Sequence, residues 1–145
     1  MPNISKYCSI FERCSLLYKN NVMKEEGICG SHIVYFFFLN RNPGVIQDEI
    51  GKRLFLNKSN VARSLKYLEE NGFIYRESDT EDKRINHVYL TEKGKVLVPK
   101  LKEKISEFNK IVSEGFTEEE LNTLDNMLYR LTSNAVKHAK NTEID

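Results

Sequence analysis

The stretch PGVIQDEIGKRLFLNKSNVARSLKYLEENGFIYRESDTEDKRINHVYLTEKG, residues 43–94, decides the fold. Asn42-Pro43-Gly44 reads as a turn. Ile50 and Leu54 then share the inward face of a short helix over about 47–54. The pattern breaks at Phe55-Leu56, and Asn57 is a strong N-cap for a second helix reaching about Glu70. Val61, Leu65 and Leu68 recur at helical spacing and face inward, which turns Lys58, Ser59, Asn60, Ala62, Arg63 and Lys66 outward. Asn71-Gly72 closes that helix in a left-handed cap. Residues 73–76 have the aromatic and β-branched content of a strand. Residues 86–90 alternate, with Val88 and Leu90 on one face and His87 and Tyr89 on the other. The polar stretch ESDTEDKRI joins the two strands. A helix–turn–helix followed directly by a charged hairpin predicts a winged helix.

Charge gives this unit its direction. Residues 51–68 contain Lys52, Arg53, Lys58, Arg63 and Lys66 and no carboxylate, while the whole 145-residue chain carries only +1. A near-neutral total argues against a polycation that binds any anion. Five cations on one short helical pair suit phosphate. Ser59 and Asn60 can hydrogen-bond bases or phosphates, and Arg63 can grip guanine with two bonds. Ala62 leaves room for close approach and can meet a thymine methyl. Lys58 and Lys66 suit phosphate contacts that set register. The helix dipole adds attraction near Asn57. Lys83 and Arg84 stand at the hairpin tip, where a narrow minor groove attracts cations. On an isolated helix such a face usually means only solvation. The acid-free window, the capped start and the hairpin together favour DNA.

Working outward, Ile4, Cys8, Phe11, Cys14 or Ser15, Tyr18 and Val22 mark a helix over about 5–24. Ser31 is the candidate N-cap of a helix reaching about Asn40, and its run HIVYFFFL is apolar nearly all round, so it should be buried. After the hairpin, Thr91 caps a helix with the seam Leu97, Leu101, Ile105, Phe108 and Val112, which Pro99 should kink. Thr117 to Glu120 form a capping box for a last helix carrying Leu121, Leu124, Leu128, Leu131 and Ala135. The polar tail, residues 140–145, reads as frayed. The expectation is one domain over 1–145. Its DNA-binding lobe spans about 43–94, and apolar-striped dimerisation helices span about 5–24 and 92–140.

Composition excludes other classes. A hydrophobic fraction of 40% and a charged fraction of 30% are ordinary for a soluble, helix-rich protein. The start has no secretory pattern, and the apolar run at 33–39 is too short to span a bilayer. A cytoplasmic protein without a membrane partner is expected. Cys8, Cys14 and Cys29 are odd in number and follow no zinc or CxxC spacing, so they read as reduced thiols. Cys29 and His32 share a helical face, but no further ligand converges on them, and no metal or cofactor is expected. No nucleophile–base pair, phosphate loop or carboxylate pair stands in a catalytic context, so no enzymatic activity is expected.

With these elements placed, the chain resembles the MarR (multiple antibiotic resistance regulator) family of winged helix–turn–helix transcriptional regulators. DKRINHVYLTEKG, residues 82–94, is similar to the family pattern of Asp-x-Arg, a β-strand and then Leu-Thr-x-x-Gly. KSNVARSLKYLEENGFIYR, residues 58–76, is similar to the family's recognition helix and its Leu-Glu-x-x-Gly-hydrophobic-Ile-x-Arg ending. The element order covers nearly the whole chain. Two positions depart from the pattern. Ile46 stands where Thr often precedes the third helix, which leaves that helix without a good side-chain cap. Cys29 stands where a Thr commonly opens the second.

The resemblance implies a mainly α fold with a small β-hairpin wing, and a homodimer joined through both chain ends. It implies a palindromic double-stranded operator, read by recognition helices about 34 Å apart. It further implies a repressor released by a small aromatic or anionic effector. Within the wing it implies an arginine in the minor groove and an Asp82–Arg84 brace; Arg84 as brace with Lys83 as groove probe is the alternative assignment. The implied effector pocket would be lined by Tyr7, Phe11, Tyr18, Tyr35 and Phe36, all of which also suit core packing. Cys14, with Tyr18 four residues on, resembles the cysteine of the family's oxidant-sensing branch, so a thiol-based oxidant-sensing repressor is a second reading. A buried small hydrophobe is the plainer meaning of Cys14. A winged-helix protein-interaction module without DNA binding is a third reading.

Overall fold

The computed structural model describes residues 1–142. The chain divides into two compact units, Met1–Phe108 and Asn109–Asp145. The first contains α1 (Ile4–Met23), α2 (Ile33–Arg41), β1 (Val45–Ile46), α3 (Gln47–Leu54), α4 (Lys58–Glu70), β2 (Ile74–Ser78), β3 (Asn86–Leu90) and most of α5 (Glu92–Val112). The second holds the end of α5 and all of α6 (Glu118–Thr142).

The three strands form an antiparallel sheet in the order β1-β3-β2. Ile74 pairs with Leu90, Tyr75 with Tyr89 and Glu77 with His87. On the other edge Val45 pairs with Val88 and Ile46 with His87. Sequence patterning predicts two strands; β1 is the third. Two residues are too few to show a period, and they become a strand only because β3 offers them an edge to pair with.

One core serves every element of the first unit. Met23, Phe36, Leu39, Ile50, Leu65, Leu68, Ile74, Val88 and Leu101 are its fully buried members. Phe36 meets Phe73 edge to face, 5.5 Å between centroids. Burying each large side chain contributes about 1.5–3 kcal/mol. The seam of α5 belongs to this core through Leu97, Val98 and Leu101, with Phe108 also buried. The first part of α5 is therefore an integral wall of the winged helix and not a separate arm. The helix runs unbroken through Pro99.

The start of α2 differs from the expectation. Ser31 lies inside a 3-10 turn, Gly30–His32, and α2 begins after it. Neighbouring groups satisfy the free N–H groups there. Asn20 Oδ1 accepts from the Gly30 N–H at 2.7 Å, and His32 Nδ1 accepts from the Cys29 N–H at 3.2 Å. The apolar α2 itself is buried at Ile33, Tyr35, Phe36 and Leu39.

The Leu-Thr-x-x-Gly run explains how α5 leaves the sheet. Thr91 Oγ1 donates to the Gly72 carbonyl at 2.6 Å and accepts from the Gly94 N–H at 3.1 Å. A Cβ at Gly94 would stand 2.3 Å from the Phe73 carbonyl oxygen. Only glycine lets α5 approach that backbone so closely.

In α1 the only buried residues are Ser15 and Met23; Ile4, Tyr7, Ile10, Phe11 and Leu17 are exposed. In the second unit, Thr117 and Glu120 make the reciprocal capping box, with N–H to oxygen distances of 2.8 and 3.2 Å. The helix it opens exposes Leu124, Met127, Leu128 and Tyr129. Of the tail read as frayed, residues 140–142 are part of α6, and residues 143–145 lie outside the described residues.

Candidate nucleic-acid interface

The second helix of the helix–turn–helix is α4. Asn57 Oδ1 accepts from the Ser59 N–H at 2.9 Å, so the helix begins with its first turn closed and its positive dipole end outward. Val61, Leu65 and Leu68 are buried, while Lys58, Ser59, Asn60, Ala62, Arg63 and Lys66 are exposed. Arg63 donates to Asn60 Oδ1 one turn earlier, so these two side chains form one polar unit. The preceding α3 has Ile46 as its N-cap with no side-chain cap bond, because an isoleucine side chain carries no acceptor; its backbone pairs with His87 in the sheet.

The five cations of residues 51–68 are less free than an acid-free window implies. Lys52 lies 3.5 Å from Glu49, Lys58 lies 3.6 Å from Asp48, and Lys66 lies 3.9 Å from Glu70. Each acid sits just outside the window and reaches in across the surface. These long, exposed pairs are weak and open readily to a phosphate. Arg53 has a different task. Its guanidinium stacks 4.8 Å from the Phe38 ring centroid and donates to Asn42 Oδ1 at 3.0 Å. It ties α3 to the end of α2.

Two polar clusters hold α4 and the hairpin in place. Arg76, half-buried in β2, donates from Nε to Glu69 Oε2 at 3.1 Å and from a terminal nitrogen to Gln47 Oε1 at 3.2 Å. A second terminal nitrogen also meets Glu69. The Arg76 hydrogen bonds depress the Glu69 carboxyl below its ordinary value, and the Arg76 guanidinium is held more firmly protonated in turn. This joins the start of α3, the end of α4 and β2. Its sequence signal is the Ile74–Arg76 alternation, which puts a cation on an inward strand face where it needs a partner.

The second cluster is in the wing. Asp79 Oδ1 accepts from the N–H groups of Glu81 and Asp82 at 2.9 and 3.1 Å, and Oδ2 lies 2.9 Å from His87 Nε2. His87 Nδ1 lies 2.9 Å from the Gly44 carbonyl oxygen. The hydrogen bond with His87, then those from Asp82 and Glu81, pull the Asp79 carboxyl down to about 2. Lys83 and Arg84 occupy the middle of a turn closed by Ile85 N–H to Asp82 O at 3.0 Å. Arg84 grips Asp82 with two bonds of 3.1 and 3.2 Å, yet its side chain remains 91% exposed.

The aromatic residues read as a possible pocket fall into two groups. Tyr35 and Phe36 are buried in the core. On α1, Tyr7 is exposed, while Phe11 and Tyr18 meet at Phe108 with centroid distances of 5.8 and 5.0 Å. The Tyr18 hydroxyl donates to Glu107 at 3.4 Å. Partial desolvation and that carboxylate raise its pKa. Cys14 is exposed rather than buried, because Ser15 takes the inward position. Among the described residues, no three His, Cys, Asp or Glu side chains converge as a metal site, and no helix is long and apolar enough to cross a membrane.

The sequence pattern of the MarR family matches residues 27–85. The crystal structure of the transcriptional regulator SlyA is 30% identical in sequence, superposes with a TM-score of 0.87, and the match covers 94% of this chain and 96% of that one. This chain belongs to the MarR family. It is a MarR-family transcriptional regulator and not an enzyme. The HTH-type transcriptional regulator YybA of Bacillus subtilis (strain 168) is 28% identical over 134 residues, 92% of this chain and 89% of that protein. A MarR-family regulator from Listeria monocytogenes, solved in complex with a 26mer DNA, is 26% identical with a TM-score of 0.86, covering 95% of this chain and 92% of that one. In MarR-family terms, α3 and α4 are the helix–turn–helix, and β2, β3 and their loop are the wing.

Proposed function

We propose that this chain is a homodimeric repressor that binds a palindromic double-stranded operator and is released by a small aromatic or anionic effector. The observation that carries the reading is the outward face of α4. Short polar or small residues, Ser59, Asn60 and Ala62, surround one arginine, Arg63, on a capped helix flanked by Lys58 and Lys66. A helix with that face can enter the major groove. Arg63 exchanges its bond to Asn60 for the edge of a guanine, and Asn60 is then free for a neighbouring base. Lys58 and Lys66 take phosphates. In the wing, Asp82 holds Arg84, and Lys83 beside it probes the minor groove. The Listeria monocytogenes relative crystallised with a 26mer DNA supports DNA binding as such.

Dimerisation is supported by apolar surface left uncovered in one copy. Ile4, Tyr7, Ile10, Phe11 and Leu17 on α1 are exposed, and so, separately, are Leu124, Met127, Leu128 and Tyr129 on α6. A second copy covering these surfaces gives the twofold symmetry a palindrome requires. An effector bound near Phe11 and Tyr18 acts only through a preference for one spacing of the two lobes.

The test is a titration of Arg63→Ala and Lys66→Ala on operator and random duplex at several salt concentrations. Arg63→Ala should lose about 1–3 kcal/mol on operator alone. Lys66→Ala should weaken both duplexes and flatten the salt slope. Equal losses on both duplexes for Arg63→Ala remove its base-reading role. Absence of salt-dependent duplex binding by the unaltered protein favours an interaction module instead.

The exposure of Cys14, one helical turn from Tyr18, favours a second reading in which its oxidation releases DNA. Organic peroxide should then abolish duplex binding in the unaltered protein and spare Cys14→Ser. Equal loss in both rules the cysteine out.

A further inference from the structure

His87 is the second residue of β3, the central strand of the sheet, with its side chain 27% exposed and an acceptor facing each ring nitrogen. The Gly44 carbonyl oxygen faces Nδ1 at 2.9 Å and Asp79 Oδ2 faces Nε2 at 2.9 Å. A carbonyl oxygen cannot donate. Asp79, with its carboxyl held at about 2, is an anion throughout the neutral range. Only the imidazolium carries an N–H on both nitrogens and completes both bonds; a neutral ring has one N–H and sets a lone pair against the other oxygen. The groups facing the ring reinforce this. The loop presents Asp79, β2 presents Glu77 opposite in register, β1 presents Ile46, and the turn before it presents the Gly44 carbonyl. Both charges among them are negative.

We propose that His87 is the positioning residue of the wing: as an imidazolium it locks the basic tip in its groove-binding pose, and as a neutral ring it releases it, so operator affinity falls as pH rises. The inference rests on the DNA-binding reading above. The lock is a continuous set of hydrogen bonds. Gly44, whose own N–H donates to Val88 O at 2.9 Å, belongs to the turn leading into the helix–turn–helix. His87 links that turn to Asp79. Asp79 holds the Glu81 and Asp82 backbone, and Asp82 holds Arg84 beside Lys83. His87 is the link with a proton to lose near neutral pH. The bonds to Asp79 and then to Gly44 raise its pKa above the ordinary 6.5. The lock is thus complete below the unfolded value of 6.5 and is lost as pH rises through the higher folded value. A loosened tip must be ordered again on DNA, and that cost appears as lost affinity.

The full-length protein and a fluorescent duplex of the DNA upstream of its coding region supply the test. Anisotropy titrations run between about pH 6 and about pH 8.5, spanning the range in which a histidine changes charge. Unaltered protein should lose about threefold to tenfold in affinity across that range, the effect of one partly exposed hydrogen bond. His87→Gln and, independently, Asp79→Asn should start weaker at the acid end and show a flatter profile. His32 and His138 remain in both variants and cancel general charge effects. An NMR titration of the His87 ring in the free protein should show a midpoint above 6.5 that Asp79→Asn lowers. Equal pH slopes for unaltered protein and both variants, or a ring midpoint at or below the ordinary value, overturn the inference. Absence of duplex binding at every pH instead removes the DNA-binding reading, and this inference with it, while the ring titration still reports whether the clasp forms.

Discussion

Replacing Gly94 by alanine sets helix propensity directly against packing. The added Cβ would lie 2.3 Å from the Phe73 carbonyl oxygen, 3.1 Å from Leu90 Cδ2 and 3.3 Å from the Phe73 carbonyl carbon. A comfortable carbon–oxygen contact is about 3.3 Å, so the backbones must separate by about 1 Å. The oxygen cannot turn aside cheaply, because it accepts the Thr91 N–H at 3.0 Å. Overpacking of this kind costs about 1–3 kcal/mol, and a clash with a bonded backbone atom belongs at the upper end. Alanine recovers about 1 kcal/mol of helix propensity. Packing wins, leaving a net destabilisation of about 2 kcal/mol. For a chain of this size that lowers Tm by about 4–8 °C. The assay is thermal unfolding followed by circular dichroism at one protomer concentration, since dimerisation would make Tm concentration-dependent. Gly115→Ala is the internal reference. Its φ of +85° disfavours alanine, but nothing lies within 4 Å, so only the backbone cost of about 1–2 kcal/mol applies. A Gly94→Ala protein that melts at or above the unaltered temperature would refute the reasoning: α5 would then slide from Phe73 without cost.

Other consequences follow from the two polar clusters. Arg76→Ala should cost about 2 kcal/mol in urea unfolding, because it strands Glu69 and Gln47 with one deletion, and Arg76→Lys should restore only part of it; a shift of the urea midpoint by less than the measurement error would show that the clamp adds nothing. Lowered carboxyl values make the wing acid-sensitive. Asp79 and Glu69 have folded values below their unfolded ones, so their stabilisation is present above the unfolded value and is lost as pH falls through the folded one, for Asp79 between 3.8 and about 2. Hydrogen exchange of the Glu81 and Asp82 amides should accelerate, relative to the intrinsic rate, across that interval, and Asp79→Asn should remove the dependence.

What the chain states by itself is what lies within a few residues of each position. Asn57 capping α4, the Val61, Leu65 and Leu68 stripe, the Thr91 cap on the Gly94 N–H and the Thr117–Glu120 box all depend on bonds or periods no longer than one or two helical turns. Those determined the winged helix and the outward face of α4. The two linked motifs carried the family because their order and spacing are properties of the linear chain. Contacts between segments were decided by the tertiary structure alone. Arg76 meets Gln47 across 29 positions and His87 meets Gly44 across 43. No local preference encodes a partner that far away; it is selected when the core around Phe36, Leu65 and Val88 sets the elements side by side. The same packing turned Ser15 inward and Cys14 outward, drew the two-residue β1 onto β3, and brought Asp48 beside Lys58. Such choices come from the summed burial of a whole core, which no short window of sequence contains.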